Sequence, residues 1–387
     1  MKTFDVVIVG AGLAGLQCAR ILSAAGTKVL LVDHKTDLTK NIHTTGIFVR
    51  KTLEDFNLPE DCLGQPVRHV TLYSPALQSL NLESEHDEFR IGKMGKLYEN
   101  FLQACLRSNL EWAPGTRYLG IETSGSETIV KFETAGRNWK AKTSCLVGAD
   151  GAQSRVSRDL RLDENREWIV GFEEVWQGVP LIDAPRLHCF LNAHLAPGYL
   201  AWVTNDNEET HIGVGGYAAR FNPREALEKF RMIVKNKIVD LRKAQCIETR
   251  GGRIPVGGIL KRIASERGLL IGDAAGAVSP LTAGGLDPCL RLSTIAASII
   301  QSSLQTGSPE ILRSYAGEFF RTRFISRLWM RRCLAAMNNQ TLLEASFAAL
   351  RLPLLRNLAA HVFFGRGSFP DDVKLPSARY QKSFKTA

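Results

Sequence analysis

Short apolar runs, each closed by glycine or an acid, alternate along this chain with longer amphipathic stretches. Val6, Val7, Ile8 and Val9 form an uninterrupted apolar run rich in β-branched residues. That is the pattern of a strand buried on both faces of a parallel sheet. The period then changes. Leu13, Leu16, Ala19, Ile21 and Leu22 are spaced for one packed helical face, and Gly26 stops the helix. Val29 to Val32 repeat the strand pattern and end at Asp33. The stretch from His34 to Arg50 reads as a polar loop, and Val67 to Tyr73 and Leu77 to Ile91 as strands. Gly95 to Leu106 predicts a helix, with Leu97, Phe101, Leu102 and Cys105 on one side. Tyr118 to Glu122, Thr128 to Glu133 and Trp139 to Cys145 predict a β-meander. It runs through Leu146 and Val147 into the turn Gly148-Ala149-Asp150-Gly151, then into a helix whose first turn carries Ser154 and Arg155.

Strict alternation dominates the middle of the chain. Trp168 to Val179 and Leu187 to Tyr217 alternate apolar and polar residues between Gly/Pro breaks, which predicts an antiparallel sheet. Tyr199 and Trp202 fall on one of its strands, and Asn205 to Glu209 read as a hairpin turn. Pro223 to Ile238 predict a basic amphipathic helix, and Gly251 to Ile259 an extended return. Gly268 to Asp273 is another buried strand ending in Gly-Asp. A loop of small residues, Pro280 to Gly285, precedes a helix from about Leu286. From Leu304 onward the pattern is helical. This order predicts the α/β class. Segments 1–60, 92–162 and 264–320 form a nucleotide-binding unit, 61–91 and 163–263 an inserted sheet domain, and 321–387 a C-terminal helical region.

The first turn has a chemical rationale. Gly10, Gly12 and Gly15 stand in G-x-G-x-x-G spacing between strand and helix. Gly10 permits the tight turn, Gly12 lets a pyrophosphate approach the backbone, and Gly15 lets the helix pack close to the strand. The helix N-terminus presents free N–H groups to the phosphates. Asp33, at the end of the second strand, can accept hydrogen bonds from an adenosine ribose. Lys35 is a further candidate for ribose or phosphate contact, or a solvated loop lysine. Thr44-Thr45-Gly46 would let a flat ring approach the backbone. No second G-x-G-x-x-G follows a strand, so no dedicated nicotinamide domain is visible.

Composition narrows the class. The net charge is +10, which fits a basic soluble surface, an acidic substrate or a membrane surface. No nucleic-acid motif accompanies it. The excess gathers late: Arg321, Arg323, Arg327, Arg331, Arg332, Arg351 and Arg356 lie in a stretch rich in Leu and Phe. A helical cap with solvent-facing arginines is the favoured reading; a basic amphipathic face on anionic lipid is the alternative. The eight cysteines are scattered without a C-x-x-C, which argues against zinc or disulfides and for a reducing cytoplasm. No apolar run is long enough to span a bilayer. The first strand follows Met1 directly, so no leader segment is expected.

Three glycine–acid motifs now stand together: GAGLAG with Asp33, GADG at Gly148 to Gly151, and GD at Gly272-Asp273. In this order they resemble the FAD-dependent oxidoreductases of the p-hydroxybenzoate hydroxylase fold. GDAAGAVSPLTAGGLDPCLRLS and PGYLAWV resemble its geranylgeranyl reductase branch more narrowly. The resemblance implies a Rossmann-type FAD-binding domain with an inserted antiparallel-sheet substrate domain and a helical C-terminal region. It implies that Gly10, Gly12, Ala14 and Gly15 meet the FAD diphosphate, and that Asp33 binds the ribose. Thr45 and Gly46 would lie beside the isoalloxazine, and the backbone of Tyr118 would meet the adenine. Asp150 and Asp273 are expected at the cofactor, with capping of the following helix as the alternative. Gly284, Gly285 and Leu286 would lie under the N1/C2=O edge of the flavin, where a helix dipole stabilises negative charge. Lys93 falls where the family usually has Arg, which keeps the charge and loses the bidentate fork. Cys289 reads as a packed small residue rather than a redox thiol. His43, Tyr199 and Trp202 are candidates for a substrate cavity, or for the core.

The expected activity is delivery of hydride from reduced FAD to a carbon–carbon double bond of an isoprenoid. An FAD monooxygenase acting on an aromatic or polyketide substrate is the first alternative, and a flavin-binding electron carrier the second. A flavin halogenase is disfavoured because W-x-W-x-I-P is missing. NADPH as a transient reductant, an electron-donor protein and a chemical donor all stay open. So does the choice between a cytoplasmic location and one peripheral to a membrane. The expected partner is a small apolar or polyprenyl molecule, and no metal is expected. No proton donor is singled out.

Overall fold

The computed structural model describes residues 1–124, 127–180, 184–235 and 237–365. The expected helical tail after residue 365 lies outside them. β1 (Lys2–Val9), α1 (Leu13–Ala24) and β2 (Val29–Val32) follow the predicted strand–helix–strand order. β1 and β2 pair in parallel, Val6 opposite Val29 and Val9 opposite Val32. Every residue of β2 is buried, which is why its pattern is continuous rather than alternating.

The next segment departs from the expected loop and two strands. Ile47–Val49 form β3, Arg50–Asp55 a short helix α2, and Leu63–Val67, His69–Tyr73, Ser79–Leu82 and Phe89–Gly92 the strands β4, β5, β6 and β7. The expected strand Leu77 to Ile91 is broken because Glu83 to Glu88 is too polar to line a buried sheet. α3 (Met94–Leu106) buries Leu97, Phe101, Leu102 and Cys105 as predicted. β8 (Leu110–Ala113), β9 (Thr116–Ser124), β10 (Glu127–Thr134) and β11 (Arg137–Gly148) follow. The last meander strand and the strand before the GADG turn are one element. β11 pairs antiparallel with β10 and parallel with β1.

After the short helix α4 (Arg155–Asp159) come β12 (Trp168–Gln177), β13 (Arg186–Phe190), β14 (Ala201–Asn205), β15 (Glu209–Gly216), α5 (Pro223–Val234) and β16 (Gln245–Pro255). β17 (Ala264–Ser265) and β18 (Gly268–Leu270) return the chain to the first sheet, and α6 (Leu286–Thr306) packs against α1. α7 (Gly317–Arg321), α8 (Ile325–Ala336), α9 (Gln340–Ala349) and α10 (Pro353–Phe364) complete the described chain.

Among the described residues the strands form three sheets. The first runs β17-β18-β11-β1-β2-β8, with β10 and β9 attached at β11; from β18 to β8 it is parallel. The second runs β16-β12-β15-β14-β13-β5-β6. It is antiparallel as expected except where β5 meets β13 in parallel. Those two strands come from separate segments, so no hairpin forces them to oppose. The third, β3-β7-β4, is small.

One face of the second sheet packs Phe190, Val203, Ile212 and Val214 against Phe230 of α5. The other face packs Val70, Leu72, Leu187 and Cys189 with Phe347 of α9 and Ala359 of α10. The C-terminal helices therefore complete that core, and several of the arginines expected at the solvent turn inward. Arg321 donates to the carbonyls of Gly257 and Ile259 (3.0 and 2.7 Å), and Arg327 donates to Ser279 Oγ (2.9 Å). Arg331 is buried between the rings of Tyr199 and Tyr217, 5.5 and 5.1 Å from their centroids. The ring faces stabilise a desolvated guanidinium by roughly 2 kcal/mol.

Gly268 shows how tightly the parallel sheet is closed. A Cβ there would sit 1.9 Å from the Leu146 carbonyl oxygen, which is backbone and has no rotamer to yield. Gly268→Ala is expected to cost about 1–3 kcal/mol, read as a lower urea midpoint with unchanged slope.

Candidate functional site

A cavity of about 1060 Å³ opens along the carboxyl ends of β1, β2 and β11 and continues under the second sheet to the C-terminal helices. This is where open α/β sheets bind ligands. Gly10, Gly12, Ala14, Asp33, Lys35, Thr45, Gly46, Tyr118, Asp150, Asp273, Gly284, Gly285 and Leu286 all line it, as do His43, Tyr199, Trp202 and Cys289. Two expected residues do not. Gly15 faces the strand instead: a Cβ there would come within 1.9 Å of the Gly10 carbonyl oxygen. It sets the approach of α1 to β1. Lys93 turns away to pair with Glu208 at 2.8 Å, because the ammonium finds a carboxylate on the neighbouring hairpin.

The turn geometry shows what each residue can offer. Gly10 has φ +104°, a left-handed conformation that favours glycine. A Cβ on Gly12 would meet nothing within 4 Å, so the backbone at the start of α1 is open to a ligand. No side chain caps α1 or α6, and both N-termini open on the same cavity. Their first N–H groups are free to bind an anion. Asp33 accepts from the N–H of Ala11 (2.7 Å) and of Lys35 (2.8 Å), which locks the turn. Lys35 Nζ is held by the carbonyls of Lys40 and Asn41 (3.3 and 2.6 Å), so its charge serves the loop.

The two aspartates differ. Asp150 caps α4: it accepts from Ser154 Oγ (2.6 Å) and from the N–H of Arg155 and Val156 (2.7 and 3.2 Å). Among the described residues, Asp273 caps neither the short turn it begins nor α6. Burial alone pushes its carboxyl from 3.8 up to about 6. Cys289 is buried. Burial first, then the charge of Asp273, pushes its thiol well up, so it stays protonated. The loop before α6 is strained at Ala283, with φ +52°, rather than at its glycines. Tyr118 donates from its hydroxyl to Asp159 (2.6 Å), and its carbonyl accepts from Arg155 (3.3 Å).

Four hydrogen bonds, counting that of His43, join the second sheet and the turn before β14 to the cofactor-side loops; Tyr199 lies in that turn rather than on the strand expected for it. Tyr199 Oη donates to the Thr282 carbonyl (2.6 Å), Thr45 Oγ1 donates to Glu173 (2.6 Å), and Arg250 donates to the Thr44 carbonyl (3.0 Å). Trp202 donates to Glu173 (3.3 Å) and sits over bare backbone, since a Cβ on Gly213 would lie 2.2 Å from its ring. His43 meets the Gly251 carbonyl at 2.9 Å on the exposed rim. Sequence patterning did not single out Glu173, His211 or Arg250, and it placed Arg327 only among the arginines of the C-terminal stretch. Glu173 was recoverable as a carboxylate at a core-facing position of an alternating strand.

A parallel-sheet nucleotide fold with two bare helix N-termini on one cavity defines a dinucleotide-cofactor oxidoreductase. The FAD binding domain family matches residues 3–330, and the chain belongs to that family of FAD-dependent oxidoreductases. It is 24% identical over 352 residues to a digeranylgeranylglycerophospholipid reductase of Methanocaldococcus jannaschii, with 88% of each chain covered. It is 25% identical over 313 residues to one from Methanothrix thermoacetophila, covering 78% of this chain and 79% of the relative. Among solved structures, it superposes on a geranylgeranyl bacteriochlorophyll reductase-like protein of Thermoplasma acidophilum with a TM-score of 0.81. The identity is 18%, and 95% of this chain and 98% of that one are covered. The p-nitrophenol 4-monooxygenase of Pseudomonas putida gives a TM-score of 0.70 at 15% identity, covering 94% and 98%.

The raised carboxyl of Asp273 has a thermodynamic consequence. An acid that holds its proton more tightly when folded stabilises the fold below its unfolded value, 3.8, and that contribution is lost as pH rises to about 6. Across that window, without added FAD, wild-type stability should fall relative to Asp273→Asn by on the order of 1–3 kcal/mol, toward the lower end because cavity water screens the charge. Urea unfolding at a series of pH values measures it.

Proposed function

We propose that this chain reduces a carbon–carbon double bond in an isoprenoid chain. The observation that carries the reading is the character of the cavity away from the nucleotide turns. Leu72, Phe89, Leu187, Met330, Leu350 and Phe363 line it there, an apolar tunnel suited to a long hydrocarbon. The named reductase relatives support the same choice.

FAD, when bound, supplies the two-electron chemistry. The chain supplies the rest. Gly10, Gly12 and Ala14 with the start of α1 would hold the diphosphate, and Asp33 and Asp273 the sugar hydroxyls. Gly284, Gly285 and Leu286 would set the positive end of α6 under the N1/C2=O edge, and Thr45 and Gly46 would close the opposite side. Arg327, in the apolar part of the cavity and bonded to Ser279, offers a guanidinium to an anionic head group. NADPH is proposed only as a transient reductant.

To test this, the FAD-loaded chain is reduced anaerobically and given a geranylgeranyl-chain phospholipid. The expected product gains one H₂ per saturated double bond by mass spectrometry. An untouched isoprenoid, with oxygen-dependent NADPH oxidation and a hydroxylated aromatic product, would establish a monooxygenase instead.

On this reading the chain would work at a membrane surface. Trp329 is 61% exposed with Arg332 over its ring, and Leu352 and Leu354 are 59% and 80% exposed in a segment flanked by exposed Arg351 and Arg356. Leu358 is both exposed and part of the cavity wall, so the tunnel reaches the surface at this patch. No helix among the described residues is long and apolar enough to cross a membrane. A peripheral contact of aromatic, aliphatic and basic side chains is the fitting mode. Full-length protein should co-sediment with phosphatidylglycerol vesicles, weakly with phosphatidylcholine alone, and several-fold less when Trp329 and Leu354 are both replaced by Ser.

A further inference from the structure

Saturating a double bond adds a hydride to one carbon and a proton to the other, and the proton must come from somewhere. We propose that Glu209, His211 and Glu173 form a relay that carries a proton from solvent to the cavity wall at the Thr45 hydroxyl. The inference rests on the reductase reading for its purpose, and on the geometry of the second sheet for its existence.

β12 and β15 are antiparallel neighbours, with Glu173 opposite Gly213 and Gln177 opposite Glu209. Alternation puts Glu209, His211 and Gly213 of β15 on the side of the sheet that carries Glu173, so His211 is the diagonal neighbour of Glu173. The spacing forms a continuous line. Glu209 Oε2 lies 3.7 Å from His211 Nε2, His211 Nδ1 lies 3.5 Å from Glu173 Oε1, and Glu173 Oε2 accepts from Thr45 Oγ1 at 2.6 Å. Exposure falls along it, from 33% at Glu209 to 1% at His211 and 4% at Glu173. Glu173 and Thr45 line the cavity.

The polar atoms left over mark the route. Both ring nitrogens of His211 and Oε1 of Glu173 are buried without a hydrogen-bond partner among the described residues. Such atoms are uncommon in folded proteins and call for a physical reason. Here Nδ1 and Oε1 face each other across one gap, and Nε2 faces Glu209 across the other. Separations of this size tighten when a site closes on its ligand.

The charged surroundings favour a resting carboxylate at Glu173. β16 contributes Arg250, 3.7 Å from Glu173 Oε1 and itself paired with Glu248 at 2.8 Å. β14 contributes Trp202, which donates to Glu173, and the neutral Thr204; the loop before β3 contributes His43 at the rim. Burial would raise the Glu173 carboxyl, but His211, the Thr45 hydroxyl and Arg250 together hold it below its ordinary value. It therefore waits ionised, ready to accept.

One turnover moves a proton and no electrons. A solvent proton reaches Glu209 and passes to His211 Nε2 as His211 gives up its Nδ1 proton to Glu173 Oε1. The Glu173 carboxyl then turns to present that same proton to Thr45 Oγ1, and Thr45 releases its own to the substrate carbon. A flip of the His211 ring brings its remaining proton back to the Nδ1 position, so every group is restored and one solvent proton has been delivered.

Two measurements on the full FAD-loaded chain test the relay. In protein labelled with ¹³C-glutamate, His211→Ala should shift the Glu173 carboxyl titration upward relative to wild type, because burial is no longer offset. In anaerobic reduction of the geranylgeranyl-chain phospholipid, His211→Ala should lower kcat about tenfold or more with KM unchanged, and added imidazole should restore it. Glu209→Gln should change the pH profile of kcat. His211→Gln, close in size to the histidine, replaces the Ala variant if that one fails to fold. An unmoved Glu173 titration, or a loss confined to KM without imidazole rescue, overturns the relay. If wild-type protein leaves the phospholipid unchanged, the reductase reading fails alone, and the Glu173 titration still decides whether the three groups are coupled.

Discussion

Two helices begin on the same cavity with nothing of the protein's own to cap them. The first N–H groups of an α-helix have no intrahelical partner, and leaving them bare costs free energy unless water or a ligand binds there. At α4 the chain solves the problem itself, with Ser154 and Asp150. At α1 and α6 it does not: glycines occupy both N-cap positions and no side chain reaches back. The positive ends of two dipoles thus converge where an elongated anionic cofactor can satisfy both. The architecture around them serves that convergence. The parallel sheet fixes the start of α1, β18 carries the chain back to the same edge, and Gly15 lets α1 approach closely enough to keep the register.

The second sheet is not a separate lobe leaning on the first. Tyr199, Thr45 and Arg250 each span the gap with a hydrogen bond, and Glu173 gathers Thr45 and Trp202 at one carboxylate. These bonds line the same cavity as its apolar residues, where a lower effective dielectric strengthens each one and makes an unpaired group costly. The polar wall and the apolar wall lie on opposite ends of the same sheet face. Glu173, His211 and Arg250 come from β12, β15 and β16, whereas Leu72 and Leu187 come from β5 and β13.

The C-terminal helices divide their arginines by depth. Arg321, Arg327 and Arg331 are drawn in, toward carbonyls, a hydroxyl and two tyrosine faces. Arg332 and Arg351 remain exposed, over the rings of Trp329 and Phe347. A solvent-facing cap and a lipid-facing surface therefore describe only part of this region. It also forms part of the cavity wall and covers the second core.

Short-range features were legible in the chain. The turn at Gly10 to Gly15, the strand before it and Asp33 after it lie within one local unit, so spacing alone determined their arrangement. The alternation in β12, β14 and β15 likewise marked a sheet with two different faces. What pattern could not settle depended on partners distant in sequence. The parallel pairing of β5 with β13, the unity of β11 as one strand shared by β10 and β1, and the turn of Lys93 toward Glu208 are choices between neighbours that only folding supplies. The line from Glu209 to Thr45 joins four residues that no local spacing connects, because side chains meet across strands by register and not by order along the chain.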